Sequence, residues 1–240
     1  MSDFFTMHAG EIAAPVPDGP VLCAATPAMR RIHRVFLWAY DEAPGLARSA
    51  DGDTERSRYV GEVLGNFDKL LHVHHEGEDL FMYPQLGERA PACALHISQM
   101  LAQHEQVKAV LDELAPIRER WRDTADAGAG EELAAGYERL SALLKVHLRR
   151  EVTEVTPAVE KVLTQEEFEQ LSSHGVDAFE KKVVLAYLGM ILATNPPEEQ
   201  RAFIMDIPFP IRVAYRLVGK RLYRKQYATL FPGREIPQTL

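Results

Sequence analysis

Three features of the chain predict an all-α protein, an up-down-up-down four-helix bundle followed by further helices. Apolar residues recur at three- and four-residue intervals through four long segments. The links between them are short and carry Pro and Gly. The third feature is a motif of His, three residues, Glu, five residues, Pro. It occurs twice, at His74/Glu78/Pro84 and at His147/Glu151/Pro157, with a repeat distance of 73 residues. A lone histidine precedes each copy at a similar distance, His33 before the first and His104 before the second. A spacing of four places His and Glu one turn apart on the same helix face, so both reach the same side of a bundle interior. Two such pairs facing each other can hold two metal ions.

The elements follow in order. Residues 1–25, with Pro15, Pro17, Gly19 and Pro20, read as an extended N-terminal arm. Thr26 supplies an N-cap and Pro27 the first helical position, where a missing N–H is no loss. The first helix runs over about 27–43 and stops near Pro44-Gly45, with His33, Phe36, Leu37 and Tyr40 on its inner face. A second begins near Asp53 or Thr54, carries Tyr59, Val63, Phe67, Leu71, His74 and Glu78, and ends between Pro84 and Gly87. The third starts near Pro91, presents Leu101, His104, Val107 and Leu111, and bends or ends around Pro116. Residues 126–130 read as a loop, and the fourth helix spans about 131–163 with Leu133, Tyr137, Leu140, Leu144, His147 and Glu151 inside. The bundle therefore occupies 26–163.

An extension covers 164–240. Thr164 and Glu167 form a capping box ahead of a short helix over 165–172, a further helix spans 177–193 before Asn195-Pro196-Pro197, and a short one reaches 205. Pro208 and Pro210 introduce a last amphipathic helix. Between Ile211 and Lys225 it holds Arg212, Arg216, Lys220, Arg221, Arg224 and Lys225 and no acidic residue. Its apolar stripe, including Val213, Leu217 and Leu222, is expected to pack against the bundle; contact of 211–231 with a membrane surface is the less favoured reading.

Composition sets limits on function. The 240 residues are 46% hydrophobic, enough for a sizeable core, and 27 basic against 35 acidic residues give a net charge of −8. That balance argues against a nucleic-acid partner. The first residues lack the basic start and apolar run of a signal peptide, and no stretch is apolar enough to span a bilayer, so a cytoplasmic location is expected. Cys23 and Cys93 are far apart and outside any CxxC, which excludes a zinc ribbon or a disulfide framework.

At these residues the chain resembles the hemerythrin-like (HHE cation-binding) family over roughly 27–163, with all six expected ligand positions filled in order. The resemblance implies two Fe ions in an oxo- or hydroxo-bridged di-iron centre. It implies His33, His74, Glu78, His104, His147 and Glu151 as metal ligands, the two glutamates bridging. Oxygen-carrying hemerythrins have one more histidine, a turn after the third-helix ligand. Here that position is Lys108.

The departure implies either an open coordination position or a substitute, and His75 and Tyr40 are the candidates. A competing register, His75 with Asp79, is not repeated, because the second copy has Leu148 and Val152 there. His72 falls on the opposite side of its helix from His74; His8 and His96 fit no repeat and read as surface residues. Glu76 and Asp79 read as a charged outer face, with a hydrogen bond from a carboxylate to a ligand imidazole as the alternative.

An open position favours an oxidoreductase that activates dioxygen or peroxide, either on peroxide itself in a catalase-like reaction or on a small organic substrate, with a reductase as a further partner. The alternative is a protein that binds, senses or stores oxygen, nitric oxide or iron without turnover.

Overall fold

The computed structural model describes residues 4–239. It divides into two compact units, Met1–Gly175 and Val176–Leu240.

In the first unit four long helices form a closed ring. Helix α1 (Ala25–Arg48) lies against α2 (Thr54–Gly77), α2 against α4 (Ala94–Thr124), α4 against α5 (Ala127–Arg150), and α5 against α1. This is the up-down-up-down bundle that the spacing predicts. Past Gly77 the second helix continues through a π-helical turn, Glu78–Met82, into α3 (Tyr83–Arg89); past Arg150 the fifth continues through another, Glu151–Val155, into α6 (Thr156–Val162). A single 3-10 turn, Pro91–Cys93, leads into α4, and α7 (Gln165–Asp177) follows. The Thr164/Glu167 capping box forms: Glu167 N–H donates to Thr164 Oγ1, and Thr164 N–H donates to Glu167 Oε2.

Several local expectations are corrected. Helix α1 starts at Ala25, with no side-chain cap; the Thr26 hydroxyl instead shares a hydrogen bond with Thr156 Oγ1 at 3.0 Å. Pro44 and Pro116 lie inside α1 and α4 and stop neither. Around Pro116 the carbonyl left without an N–H is that of exposed Asp112, where water can take its place. The link between α4 and α5 is only Ala125 and Asp126, because the Asp126 side chain accepts from Ala129 N–H and so caps α5. Gly130, in the first turn of α5, lets Trp121 approach: a Cβ there would stand 2.9 Å from Trp121 Nε1.

The N-terminal arm is packed rather than free. Phe5, Ala14 and Cys23 are buried with Met82, Tyr83, Met100, Val155 and Val159. His96 is covered too, its Nε2 2.9 Å from the Ile12 carbonyl oxygen, which overturns its reading as a surface residue.

In the second unit, α8 (Lys181–Thr194), α9 (Pro197–Asp206) and a final helix pack on one another. The final helix comprises α10 (Phe209–Ala214), a π-helical turn Tyr215–Gly219 and α11 (Lys220–Leu230). Its buried side chains are Tyr215, Tyr223, Tyr227 and Leu230. Gly189 makes the contact close, since a Cβ there would lie 2.4 Å from Tyr223 Cβ. Val213 and Leu217 are exposed, Leu217 to 76%, and Leu222 is half-buried, so the expected apolar stripe is not what packs. Among the described residues no helix is long and apolar enough to cross a membrane.

Candidate metal centre

The π-helical turns explain the proline in the repeated motif. In the first copy Tyr83 N–H reaches back five residues to the Glu78 carbonyl; in the second, Thr156 N–H does the same to Glu151. Pro84 and Pro157 follow directly, and a proline can neither donate to the carbonyl four residues back nor fit against it in an α-helix. The chain relaxes by inserting one residue, the kind of bulge that is frequent at functional sites. Each bulge begins at the motif glutamate.

Two groups of side chains result. His33, His74, Glu78 and Glu151 form one; His75, Glu78, His104 and His147 form the other, and within each group the ligating atoms lie within 4.8 Å of one another. All six sequence-predicted ligand residues are brought together, and His75 joins them. In the first group His33 Nε2 is 3.1 Å from His74 Nε2 and 3.3 Å from Glu151 Oε2, and His74 Nε2 is 3.1 Å from Glu78 Oε1. In the second, His104 Nε2 is 3.4 Å from Glu78 Oε2. The His75 and His104 rings stack, 4.0 Å apart with 8° between planes, and both meet the His147 ring nearly at right angles. Glu78 alone belongs to both groups.

Three outer acceptors aim the imidazoles. His33 Nδ1 lies 3.1 Å from the Leu148 carbonyl, His104 Nδ1 2.8 Å from Asp79 Oδ1, and His147 Nδ1 3.0 Å from Gln103 Oε1. A proton held on each Nδ1 leaves the Nε2 lone pair facing inward. Asp79 is thus part of the site, as the hydrogen-bond alternative had it, whereas Glu76 faces outward to His174 at 2.9 Å.

The fit to a metal can be tested on buried atoms. Nε2 of His75, His104 and His147, both carboxylate oxygens of Glu78 and Oε2 of Glu151 are buried with no hydrogen-bond partner. Buried polar atoms in folded proteins are almost always partnered, and six orphans converging on one place is what a cation would resolve. Electrostatics agree. Burial, aided by neighbouring imidazoles, holds His74 and His75 well below the usual histidine value, and burial lowers His147 to about 3, so these three rings are neutral at ordinary pH. Burial and then the Glu151 charge push Glu78 well above the usual carboxylate value. Burial acts on Glu151 in the same sense but is outweighed by the His33 imidazole beside it and the other nearby histidines, which hold it low.

Tyr83 was not foreseen. Its buried hydroxyl donates to Glu151 Oε1, and its ring lies 5.8 Å from that of His104. In a π-helical turn a residue five positions on shares the face of the first, which is how Tyr83 comes to stand with Glu78. Phe5 of the arm packs 6.3 Å from the His33 ring.

The proposed substitutes for the missing histidine separate cleanly. Tyr40 donates to Asp68 Oδ1 at 3.1 Å, in a second buried polar cluster with Tyr137 and Arg118. It is no member of either ligand group. Lys108 is half exposed, its Nζ 2.6 Å from Asp112 Oδ2, and points away from the centre. His75, from α2, instead stands in the second donor group.

A bundle that turns these donors inward without partners is a metal-binding protein. Compared with known families, residues 24–159 match the hemerythrin HHE cation binding domain, and the chain belongs to that family. A protein of Haemophilus influenzae (strain ATCC 51907 / DSM 11121 / KW20 / Rd), described as an uncharacterized protein, is 28% identical over 108 residues. The match covers 43% of this chain, and the chain spans 59% of that relative's length. No solved structure matches the chain.

Proposed function

We propose that this is a non-haem di-iron protein whose centre reacts with peroxide or dioxygen as an oxidoreductase. The observation that carries the reading is the pair of four-donor groups sharing Glu78. Imidazole and carboxylate together suit iron, and four protein donors on each side leave room for a small exogenous molecule. Bound iron would supply redox capacity; the protein's own residues do the rest. His33 and His74, with Glu151, would hold one ion, and His75, His104 and His147 the other, with the Glu78 carboxylate between them. Asp79, Gln103 and the Leu148 carbonyl fix the rings, and the Tyr83 hydroxyl donates a hydrogen bond to the Glu151 carboxylate at Oε1.

Burial selects the reactant by size. Nearly every ligating side chain is closed to solvent, which suits peroxide, dioxygen or nitric oxide better than an organic substrate. A groove of about 490 Å³ between α4 and α5, walled by Val107, Val110, Leu143 and Val146, leads to Gln103 and His147. Its apolar walls favour a small uncharged molecule.

The second reading, a carrier or sensor of oxygen or nitric oxide, is favoured by His75, which restores the fifth imidazole. Turnover separates the two. The protein is loaded anaerobically with ferrous iron and mixed with hydrogen peroxide, air or nitric oxide while oxygen evolution and absorption are followed. Catalytic loss of many peroxides per chain at constant iron content is expected; an absorption change that reverses on degassing, with no net consumption, would establish the carrier.

A further inference from the structure

The final helix presents a face that its own unit does not use. Its buried side is Tyr215, Gly219, Tyr223 and Tyr227, and Tyr215 packs with Leu188, Leu192 and Ile204. On the other side Phe209, Val213 and Leu217 follow at intervals of four and are 69%, 37% and 76% exposed. Val218 and Ile211 are exposed beside them, and Met205 precedes them at 69%. Isolated exposed apolar residues are ordinary; a row of them on one helix is not.

A second row runs alongside. Arg212, Arg216 and Lys220 recur at the same interval, each one position before or three after a member of the apolar row, and Arg224 continues it, while Arg221 and Lys225 follow Leu217 beyond the end of the apolar row. Among the described residues none of these six forms an ion pair with a carboxylate. Arg212 instead lies over the Phe209 ring at 5.8 Å. Several exposed arginines of the first unit, by contrast, are matched, as Arg48 with Glu131 and Arg89 with Glu167.

Charge is also segregated on a larger scale. Val176–Leu240 carries ten basic and six acidic residues, a net +4, within a chain whose total is −8. An acidic protein partner would answer the cations but not a row of protruding Phe, Val and Leu. An anionic bilayer answers both: its headgroups meet the basic row and its acyl boundary takes the apolar one.

We propose that the helix Phe209–Leu230 docks on the surface of an anionic lipid membrane, lying in the interface, with Phe209, Val213 and Leu217 inserted and Arg212, Arg216 and Lys220 at headgroup level. The metal-binding unit is then held at a membrane surface without spanning it.

The test is co-sedimentation of the full chain with vesicles of phosphatidylglycerol and phosphatidylcholine, against phosphatidylcholine alone, at low and high salt. Binding is expected only to the anionic vesicles and should fall as salt rises. Each basic residue at the surface contributes about fivefold, so Arg216→Gln with Lys220→Gln should weaken binding on the order of twentyfold. Leu217→Ser should weaken it by about tenfold or more. These residues are exposed or half-buried, so helix content by circular dichroism and metal content should stay unchanged. The proposal is overturned if anionic vesicles fail to bind the wild-type chain, or if the variants bind as well as it does. It is equally overturned if the chain forms a dimer that Leu217→Ser dissociates and that has no affinity for vesicles; the face then meets a second copy.

Discussion

The two copies of the motif share a backbone and differ in what their glutamates are free to do. Both have His, Glu and Pro at the same spacing, and both insert a π-helical turn that starts at the glutamate. Yet Glu78 has two orphaned oxygens and belongs to both ligand groups, whereas Glu151 keeps one oxygen orphaned and gives the other to Tyr83. The histidines differ as well: α2 contributes two consecutive rings, His74 and His75, and α5 one, since the position matching His75 is Leu148. Repetition built the scaffold, and a few side chains made the halves unequal. Glu78 is therefore the hinge of the site.

The largest expected effect follows from that inequality. Glu78→Ala removes a donor from both groups and should leave close to no bound metal, while Glu151→Ala should retain about one ion per chain, counted by elemental analysis after gel filtration. Equal losses would break the comparison.

Next in size is His75. Without its ring the second group falls to three donors, and His75→Ala should weaken the second ion by at least the 10–100-fold, roughly, that losing even an outer hydrogen-bond partner costs. Lys108→His should leave metal content and spectra unchanged, because that side chain is turned to Asp112. A competitive titration with a chelator reads both.

The third effect is one of pH. In the metal-free protein Glu78 has its folded pKa raised, so its contribution to stability is fully present below the unfolded value, about 4.5, and is lost as pH rises through the raised folded value. Metal-free Glu78→Gln should lack this loss and melt higher than the metal-free parent at alkaline pH, although it binds metal poorly. The same logic has a metal compete with the proton that burial favours on Glu78, so that loading releases protons and affinity falls as pH drops. Melting curves across pH check the first statement and weakly buffered titration the second.

The smallest effect belongs to Tyr83. Tyr83→Phe takes a buried donor from Glu151 and should cost the metal-free protein about 1–3 kcal/mol, read by denaturant unfolding, without emptying the site.

What the sequence disclosed depended on what the repeat shared. The four helices, the convergence of the six His and Glu side chains and the capping box at Thr164 all rest on periodicity or fixed spacing, and backbone geometry turns those directly into position. His75 lies outside the repeat, because the second copy has Leu148 at the matching position. The signal was present all the same, for His75 and Glu78 are three apart and share a face. Tyr83 lies one residue before the motif proline, but an ideal helix puts it off the Glu78 face; only the inserted residue of the π-helical turn brings it round. Asp79 belongs to the site because a side chain on another helix, His104, arrives beside it, and single-helix patterns carry no such information. In the final helix periodicity located an apolar stripe, but Tyr215, Tyr223 and Tyr227 proved to be the packed face, because aromatic rings bury more area than Val213 or Leu217.

The proposed centre is a pair of metal positions joined through one carboxylate, that of Glu78. Anaerobic titration with ferrous iron, followed by elemental analysis and Mössbauer spectroscopy, tests it most directly. About two irons per chain are expected, filling together as magnetically coupled neighbours, with both absent in Glu78→Ala. A single zinc and no iron, or two irons bound independently of Glu78, would contradict it.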